Sequence, residues 1–579
     1  LSMVALHPPT HVPHLFTRIN GDLNINYQQP MYDFIDYNIQ RNIPHKFTEN
    51  SPGLAIGDVN GDGREDFIMG NYKNQDIVLF KQGVNGTFAE QVLIAGKEKP
   101  EVDEGLLLLD VDGDRDLDLY VVSGGFADSV GHDHYRDRLY FNDGKGTFTE
   151  RKDALPALAS NGIVVRAADM DGDGDLDLFV GARVLPGSYP MSDRSYLLEN
   201  DHGVYTDATE KWAPEIAQVG MVTDAIWSDY NGDHIPDLMV VGEFMPVQIF
   251  RNNGQKLEKV NGTGLESYSG WWNSIVSGDF DRDGDMDYAV GNLGDNNTYH
   301  VSADHPLKAF ALDIDNNNSQ DVILACYLKM PDGHYDLCPV NQWEELFSQS
   351  PVFRKRFSYH REFGMATIDS ILTPDERARA VERETNYVLS SILINQGDGT
   401  FKVEAMPLLA QVAPVNGMVV YDVNEDAIPD LVLVGNDYAN EVFSGTMDAM
   451  SGLVLLGRGD GHFDAVVGDC GFRVPGDAKA LGLLSTNTED VFIATQNKDS
   501  VLVFATSRKP ETVKIFSPAA DDVSALITYS DGAAQRVEFS YGAGYLSQSS
   551  RRLRITPTMR KIEITNRKGE TRQVFGDSQ

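Results

Sequence analysis

The 579-residue sequence has few cysteines, no long apolar run and no targeting segment. Three cysteines, Cys326, Cys338 and Cys470, are too few for a disulfide framework in a chain of this length. Either a Cys326–Cys338 bridge or three buried free thiols would fit this content. No run of about 18 apolar residues could span a bilayer, and no basic region precedes an apolar segment at the N-terminus. We therefore expect no transmembrane segment and no export signal. Because the chain starts at Leu1, we expect it to be a processed piece of a longer product.

Basic residues are also scarce, with 48 Lys and Arg against 87 Asp and Glu and a formal net charge of -39. A field of this sign repels phosphate backbones, so nucleic acid is excluded as a partner. A 41% hydrophobic content excludes wholesale disorder. The sequence contains no G-x-S-x-G elbow, no phosphate-binding P-loop and no Cys/His zinc pair, so none of the common catalytic motifs is present.

An acidic nonapeptide of the form D-x-[DN]-x-[DN]-x-x-x-D recurs seven times and organises the chain. The copies are DVNGDGRED (Asp58, Asn60, Asp62, Asp66), DVDGDRDLD (Asp110, Asp112, Asp114, Asp118), DMDGDGDLD (Asp169, Asp171, Asp173, Asp177), DYNGDHIPD (Asp229, Asn231, Asp233, Asp237), DFDRDGDMD (Asp279, Asp281, Asp283, Asp287), DIDNNNSQD (Asp313, Asp315, Asn317, Asp321) and DVNEDAIPD (Asp422, Asn424, Asp426, Asp430).

Oxygen ligands at positions 1, 3, 5 and 9 of a tight turn suit Ca²⁺, which takes six to eight oxygens. The pattern predicts up to seven Ca²⁺ sites, with position 7 adding a backbone carbonyl. An EF-hand loop starts alike, but it needs a glutamate at position 12 between two helices. Position 12 of the first copy is Met69, and a short apolar run that reads as a strand follows each copy. A single copy would also fit a solvated acidic turn, but seven in the same context favour metal sites.

Each unit continues with a strand, a glycine-rich turn and another strand, as in LFKQGVNGTF, LYFNDGKGTF, ILINQGDGTF and LLGRGDGHF. Four antiparallel strands in a repeated unit of about 50 residues predict an all-β fold, a β-propeller. A degenerate eighth unit, 479–505, keeps the strands without the acidic ligands. We therefore prefer eight blades, with Phe47 to Glu49 as the outer strand that closes the ring. Seven blades is the alternative, because the fifth and sixth loops are too close in sequence for a full unit between them.

These repeats resemble the integrin-α-like FG-GAP and VCBS repeats over roughly residues 45–505. The resemblance implies a propeller with one Ca²⁺ in each acidic loop. Position 6 is usually glycine in that family, but it is Arg115, His234, Asn318 or Ala427 in four loops, and Asn317 replaces a carboxylate at position 5. We expect weaker binding in those loops, above all in the sixth.

The tail GYLSQSSRRL, followed by KIEIT and NRKGE, resembles the ASPIC/UnbV module that follows such propellers in cartilage acidic protein-like chains. We predict an N-terminal extension over 1–44, a propeller over 45–510 and a small C-terminal β module over 511–579. The whole chain resembles the C-terminal part of long VCBS/ASPIC surface proteins of Bacteroidota. This likeness implies an extracytoplasmic place at the cell surface or outer membrane, and an envelope partner such as a SusC/SusD-type transporter.

Four features outside the loops are candidates for function. Residues 331–390 interrupt the repeats with helical periodicity and a basic spot at 354–356, which fits either a partner-binding insertion or a helical cap over the channel, packed by Trp343, Phe347, Phe353 and Phe357. Trp271 and Trp272 fit either sugar stacking or core packing. The segment GHDHYRD offers His132, Asp133, His134 and Asp137 as metal ligands or acid and base. Arg458 to Asp460 spell an adhesion tripeptide, but they fall at the usual hairpin turn.

Three functional hypotheses follow from these features. The first is a non-enzymatic, calcium-binding propeller that acts as a cell-surface protein-interaction scaffold. The second is a glycan-binding module, and the third is a polysaccharide-active enzyme, which would need an acid/base set outside the loops.

Overall fold

The computed structural model describes residues 14–442, 444–507 and 514–576, and nearly all of its regular structure is β-strand. Seven four-stranded antiparallel blades follow one another, and pairing of Met245 with Gly270 joins blades 4 and 5 into one eight-stranded sheet. Blade 1 comprises Leu54–Gly57, Asp66–Met69, Ile77–Gln82 and Phe88–Ile94, and blade 2 comprises Val102–Leu109, Asp118–Gly124, Arg138–Asn142 and Phe148–Glu150. Blade 3 comprises Gly162–Ala168, Asp177–Ala182, Tyr196–Asp201 and Val204–Asp207, and blade 4 comprises Met221–Ser228, Asp237–Met245, Gln248–Asn252 and Leu257–Lys259. Blade 5 comprises Gly270–Gly278, Asp287–Asn292, Ser391–Asn395 and Phe401–Ala405, and blade 6 comprises Val415–Tyr421, Asp430–Gly435, Leu453–Gly457 and Phe463–Ala465. Blade 7 comprises Ala478–Ser485, Asp490–Gln496, Leu502–Thr506 and Phe16–Arg18.

The first strand of each blade contacts the first strand of the next blade, and the first strand of blade 7 contacts that of blade 1. These seven strands therefore surround a central channel. The predicted all-β propeller is confirmed, but the ring has seven blades rather than the preferred eight.

The missing eighth blade is an inserted sheet that stands outside the ring. Its strands, in spatial order, are Tyr335–Pro339, Asp321–Lys329, Leu307–Leu312 and Val381–Thr385. They lie between the second and third strands of blade 5 and carry the sixth acidic loop. Counting one blade for each acidic loop fails at this point, because this loop belongs to the insertion.

The closing strand of the ring is Phe16–Arg18, which pairs antiparallel with Leu502–Thr506 of blade 7. Phe16 is fully buried, and its ring lies 5.1 Å from the rings of both Phe472 and Phe492. Part of the predicted N-terminal extension, 1–44, thus belongs to the propeller. This N-terminal strand completes blade 7, the last blade, and so closes the ring.

The prediction that Phe47 to Glu49 form the closing strand is wrong. The backbone N–H groups of Phe47 and Thr48 donate to the buried carboxylate of Asp36, at 2.6 and 3.0 Å, instead of entering a sheet. The Phe47 ring packs on Phe126 and Tyr189. This turn therefore covers the mouth of the channel, on the face opposite to the acidic loops.

Among the described residues the α-helices are short and all but Thr209–Trp212 lie in the insertion, whereas the 3-10 helices lie outside it. The α-helices are Thr209–Trp212, Trp343–Gln349, Pro351–Arg356, His360–Phe363, Ile368–Ile371 and Pro374–Arg379, and the 3-10 helices are Asp36–Asn38, Gly96–Glu98, Asp133–Tyr135, Pro214–Gln218, Leu265–Ser267 and Leu408–Gln411. The helical content predicted within 331–390 is confirmed. Trp343, Phe347, Phe353 and Phe357 pack on Phe310 and Ile323 of the inserted sheet rather than over the channel, so the cap interpretation is wrong. Cys326 and Cys338 face each other on paired strands of this sheet as free, buried thiols.

The C-terminal module forms a second β unit on the face that carries the acidic loops. Ala534–Glu538, Asp522–Tyr529, Met559–Asn566 and Thr571–Phe575 make one sheet, and Lys514–Phe516 pairs with Leu553–Ile555. These strands include the pair predicted in ALITYSDGAAQRVEF. The predicted boundary at 510 and 511 lies outside the described residues.

A segment of the module, 541–550, enters the central channel. Its strand Ser547–Gln548 pairs in parallel with the first strand of blade 1. The Leu54 N–H donates to the Leu546 carbonyl at 2.9 Å, and the Ser550 N–H donates to the Leu483 carbonyl at 2.7 Å. The channel is thus filled by the chain itself. Among the described residues, no helix is long and apolar enough to cross a membrane.

Candidate metal centres in the acidic loops

Six acidic loops join the first and second strands of blades 1 to 6, and one joins the corresponding strands of the inserted sheet. The carboxylate at position 9 is always the first residue of the second strand, at Asp66, Asp118, Asp177, Asp237, Asp287, Asp321 and Asp430. The six propeller loops therefore lie on one face of the ring. Blade 7, which the sequence marks as degenerate, has a short turn at this place.

The position-9 carboxylate has a structural role that the motif alone does not reveal. In blade 3, Asp177 accepts from the backbone N–H of Met170 at 2.8 Å and from that of Asn200 at 2.9 Å. Equivalent bonds reach the position-9 carboxylates of blades 1, 2, 5 and 6. This side chain thus fixes both the start of its own loop and the third strand of its blade.

A recurring asparagine at the end of the third strand joins neighbouring blades, and our sequence analysis missed it. The side-chain amides of Asn142, Asn200, Asn252 and Asn395 each donate to the position-2 carbonyl of the preceding blade's loop, at 2.7 to 2.9 Å. The signal was present in YFND, LEND, FRNN and LINQ. The acidic loops of blades 1 to 4 are therefore each held by two blades.

Within each loop, the carboxylates at positions 1 and 5 accept hydrogen bonds from the turn itself. The position-5 side chain accepts from the position-7 N–H in all seven loops, at 2.7 to 3.1 Å. Position 6 has positive φ in every loop, including Arg115 (76°), His234 (68°), Asn318 (65°) and Ala427 (67°). The four departures from glycine thus keep the same turn, at a conformational cost of about 1 kcal/mol each.

The carboxylates of four loops converge closely. In these loops, one oxygen from each of positions 1, 3 and 9 lies within 4.8 Å of the other two. The groups are Asp110, Asp112 and Asp118; Asp169, Asp171 and Asp177; Asp279, Asp281 and Asp287; and Asp313, Asp315 and Asp321. The other three loops have asparagine at position 3, Asn60, Asn231 or Asn424, beside carboxylates at positions 1, 5 and 9.

The loops concentrate several carboxylates in a small volume. Burial, reinforced by the neighbouring carboxylates, raises the pKa of Asp177 to about 7 and the pKa values of Asp237 and Asp287 to about 8. One oxygen of Asp237 is buried without a hydrogen-bond partner. Because the donors at positions 1, 3, 5 and 9 are all oxygen, the set fits a hard cation such as Ca²⁺.

The structure brings together only some of the candidate metal ligands in the segment GHDHYRD. His134 Nδ1 lies 2.9 Å from Asp128 Oδ2, and the rings of His132 and His134 are 4.1 Å apart. Asp137 accepts from the Tyr120 hydroxyl at 2.7 Å instead of joining them. Only two of the four residues predicted in GHDHYRD therefore come together, and Asp128 is their carboxylate neighbour.

Trp271 and Trp272 are buried, with 3% and 1% of their surfaces exposed. Neither ring face is accessible to a sugar, so the structure supports core packing. Arg458 and Asp460 lie in the hairpin turn of blade 6, where the Arg458 guanidinium pairs with Asp464.

A family model and a curated relative agree with the repeat assignment. The model of the FG-GAP-like repeat matches residues 58–121, 110–180 and 229–290. Cartilage acidic protein 1 of Mus musculus is 25% identical over 209 residues, which are 35% of this chain and 30% of that protein. The V. cholerae biofilm matrix protein Bap1 is 11% identical, with 84% of this chain and 91% of that chain covered and a TM-score of 0.35. The Dos1 propeller is 9% identical, with 84% and 96% covered and a TM-score of 0.32. The family match shows that the chain contains FG-GAP-like repeats, and the sheets described above place them in a seven-bladed propeller.

Proposed function

We propose that this chain is a non-enzymatic, calcium-binding propeller that serves as an extracytoplasmic protein-interaction scaffold. The observation that carries the calcium part is the repetition of one oxygen-donor arrangement in seven loops. Ca²⁺ would be held by side chains at positions 1, 3, 5 and 9, where it would supply positive charge and no chemistry. Millimolar free calcium outside the cytoplasm would load such sites.

Native mass spectrometry tests the assignment of the ligands in blade 3. We expect the double variant Asp171→Ala/Asp173→Ala to bind one Ca²⁺ fewer than the unaltered chain, because it loses the ligands at positions 3 and 5 and keeps the buried Asp177. The control Asp175→Ala/Asp201→Ala changes the charge equally and should bind the full number. An unchanged count in the first variant would contradict the ligand assignment.

The scaffold part of the proposal rests on the surface of the insertion. Arg354 and Lys355 are exposed, whereas Arg356 pairs with Glu376. Tyr359 and Met365 nearby expose 69% and 56% of their surfaces. Exposed cations beside exposed apolar side chains, on a chain of net charge -39, suit an acidic patch of another envelope protein. A SusC/SusD-type transporter is the specific partner that we propose.

Charge reversal tests this surface without disturbing the inserted sheet. We expect Arg354→Glu/Lys355→Glu to reduce capture of envelope proteins by the immobilised chain at least tenfold in calcium buffer. Lys145→Glu/Lys152→Glu, on exposed residues of blade 2, should capture as the unaltered chain does. Equal capture by all three chains would show that the insertion is not the contact surface.

A further inference from the structure

The C-terminal module places cationic side chains against the acidic loops. Arg536 contacts the loops of blades 4 and 5, Arg567 that of blade 3 and Arg552 that of blade 1. Each of these contacts reaches the position-1 aspartate; the contact to blade 5 is made by the Arg536 backbone N–H, and Arg552 also donates to the Gly63 carbonyl at 3.0 Å. The module therefore meets the loop face through the residue that begins each candidate metal centre.

The contacts of Arg536 are the best defined of this set. Its Nη2 lies 2.6 Å from Asp229 Oδ2, and its backbone N–H donates to Asp279 Oδ2 at 3.0 Å. Arg536 also faces Glu538, which accepts from the Asp229 N–H at 3.0 Å and from the Ser228 hydroxyl at 2.7 Å. One arginine thus joins two neighbouring loops to the module.

The module contacts Oδ2 of the position-1 carboxylate, which in blades 1 and 4 also accepts from the loop backbone, from the Gly63 N–H at 2.7 Å and the His234 N–H at 3.0 Å. In all four loops the module contacts Oδ2. Oδ1 accepts from the loop's own backbone, for example from the Gly172 N–H in blade 3 at 2.9 Å and from the Asp233 N–H in blade 4 at 3.0 Å. In blades 1, 3 and 4 the guanidinium on Oδ2 shares the negative charge that would attract a cation to the same carboxylate.

Blade 7 shows an arginine where the other blades have an acidic loop. Asp490 begins the second strand of this blade, as the position-9 aspartates do elsewhere. Arg554 of the module lies 2.8 Å from Asp490 Oδ2 and donates to the Thr486 carbonyl at 2.7 Å. In the one blade that lacks the acidic ligands, a module guanidinium therefore supplies the positive charge.

We propose that the arginines of the C-terminal module act as internal cations that lower the calcium affinity of the loops they contact. This inference rests on the proposed calcium binding. By linkage, calcium in those loops weakens the contacts of the module with the propeller rim to the same extent. The module is thus a calcium-responsive cap, while its segment 541–550 stays in the channel.

Coulomb repulsion sets the sign of this coupling. A guanidinium and a dication on one carboxylate repel each other, and each reduces the negative charge that attracts the other. At the surface the repulsion is screened by water and salt, so we expect a change of about three- to tenfold in affinity for each contacted loop.

Calorimetric calcium titration of the full chain tests the proposal with Arg536→Gln. This substitution removes the guanidinium next to Asp229 and keeps the backbone N–H that contacts Asp279, so we expect the site of blade 4 to bind calcium about three- to tenfold more tightly. Arg536→Lys keeps the charge and should titrate as the unaltered chain does. Arg572→Gln is the matched control, because Arg572 pairs with Asp522 inside the module and with no loop.

Hydrogen exchange of the unaltered chain supplies a readout that needs no variant. The N–H groups of Arg536 and Asp229 cross the contact, so calcium should accelerate their exchange while that of the outer strand Thr571–Phe575 stays constant. Unchanged or lower affinity in Arg536→Gln would overturn the proposal, as would unchanged exchange at both amides on loading. Calcium binding by the unaltered chain in either case would leave the proposed function standing. Absence of any calcium binding would instead overturn the proposed function itself.

Discussion

Removal of calcium is expected to lower the unfolding temperature of the chain by many degrees. Each ion binds the folded loop and not the unfolded chain, so a site at a free calcium concentration of a hundred times Kd adds about 2.7 kcal/mol to the free energy of unfolding. Six loops lie in six different blades, and the loops of blades 1 to 4 are tied to the next blade by asparagine amides. Loss of the ions therefore weakens the whole ring rather than one edge.

Differential scanning calorimetry in calcium and in EDTA measures this effect. The unfolding temperature should rise with the logarithm of free calcium, because mass action adds stability as the sites fill. A titration with Mg²⁺ provides the control, since Mg²⁺ demands a small octahedral shell and retains its waters. Identical melting in EDTA and in calcium would contradict a stabilising role for the loops.

Substitution of Arg166 by methionine is expected to destabilise the ring by about 3 to 5 kcal/mol, because it leaves a buried charge unpaired. Arg166 lies in the channel wall, 1% exposed, and its guanidinium contacts Asp224 at 2.6 Å. It also donates to the carbonyls of Ala225 at 2.8 Å and Gly544 at 2.6 Å. One side chain thus joins blade 3, blade 4 and the segment that fills the channel.

The pH dependence of this variant checks the cause of its instability. Burial raises the pKa of the Asp224 carboxyl, and Arg166 opposes that rise. Without Arg166 the folded state favours the protonated carboxyl, so the stability deficit of Arg166→Met should shrink as pH falls and grow as pH rises. Arg166→Met/Asp224→Asn removes both charges and keeps an acceptor for the Ile275 N–H, so it should be more stable than the single variant at pH 8. Urea unfolding at pH 5 and 8 measures the stability of both variants. A deficit of Arg166→Met that does not change with pH would mean that lost packing, and not an unpaired charge, causes the instability.

The repeated strands and loops could be predicted because their signals are local. A D-x-[DN]-x-[DN] turn before an apolar run fixes a hairpin, and the glycine-rich turns fix the outer strand pairs. Asp66 and Gln82, for example, lie within one hairpin series and are joined by a 2.7 Å hydrogen bond. A regular series of such units leaves a propeller as the natural way to cover the sheet edges.

The blade number and the closing strand could not be read from the same signals. The loop of the inserted sheet, Asp313 to Asp321, has the local pattern of a blade, and only its packing outside the ring distinguishes it. Phe16–Arg18 is a three-residue strand whose pairing with Leu502–Thr506 depends on contact between the two ends of the chain. The sequence around Phe47 resembles a strand, but the Phe47 N–H donates to the Asp36 carboxylate and is not available for pairing in a sheet.

The contact of the module with the loops also lay beyond the sequence pattern. Arg536 is one arginine in a short strand, and nothing local relates it to Asp229, which lies far away in the sequence. Charge opposition between a module rich in arginine and an acidic face was foreseeable, but the individual pairs were not.

The number of calcium ions bound to the intact chain tests the central claim most directly. Native mass spectrometry at millimolar calcium should show several ions on each chain, up to one for each of the seven acidic loops, and EDTA should remove them. A chain that carries no calcium under these conditions would contradict the account.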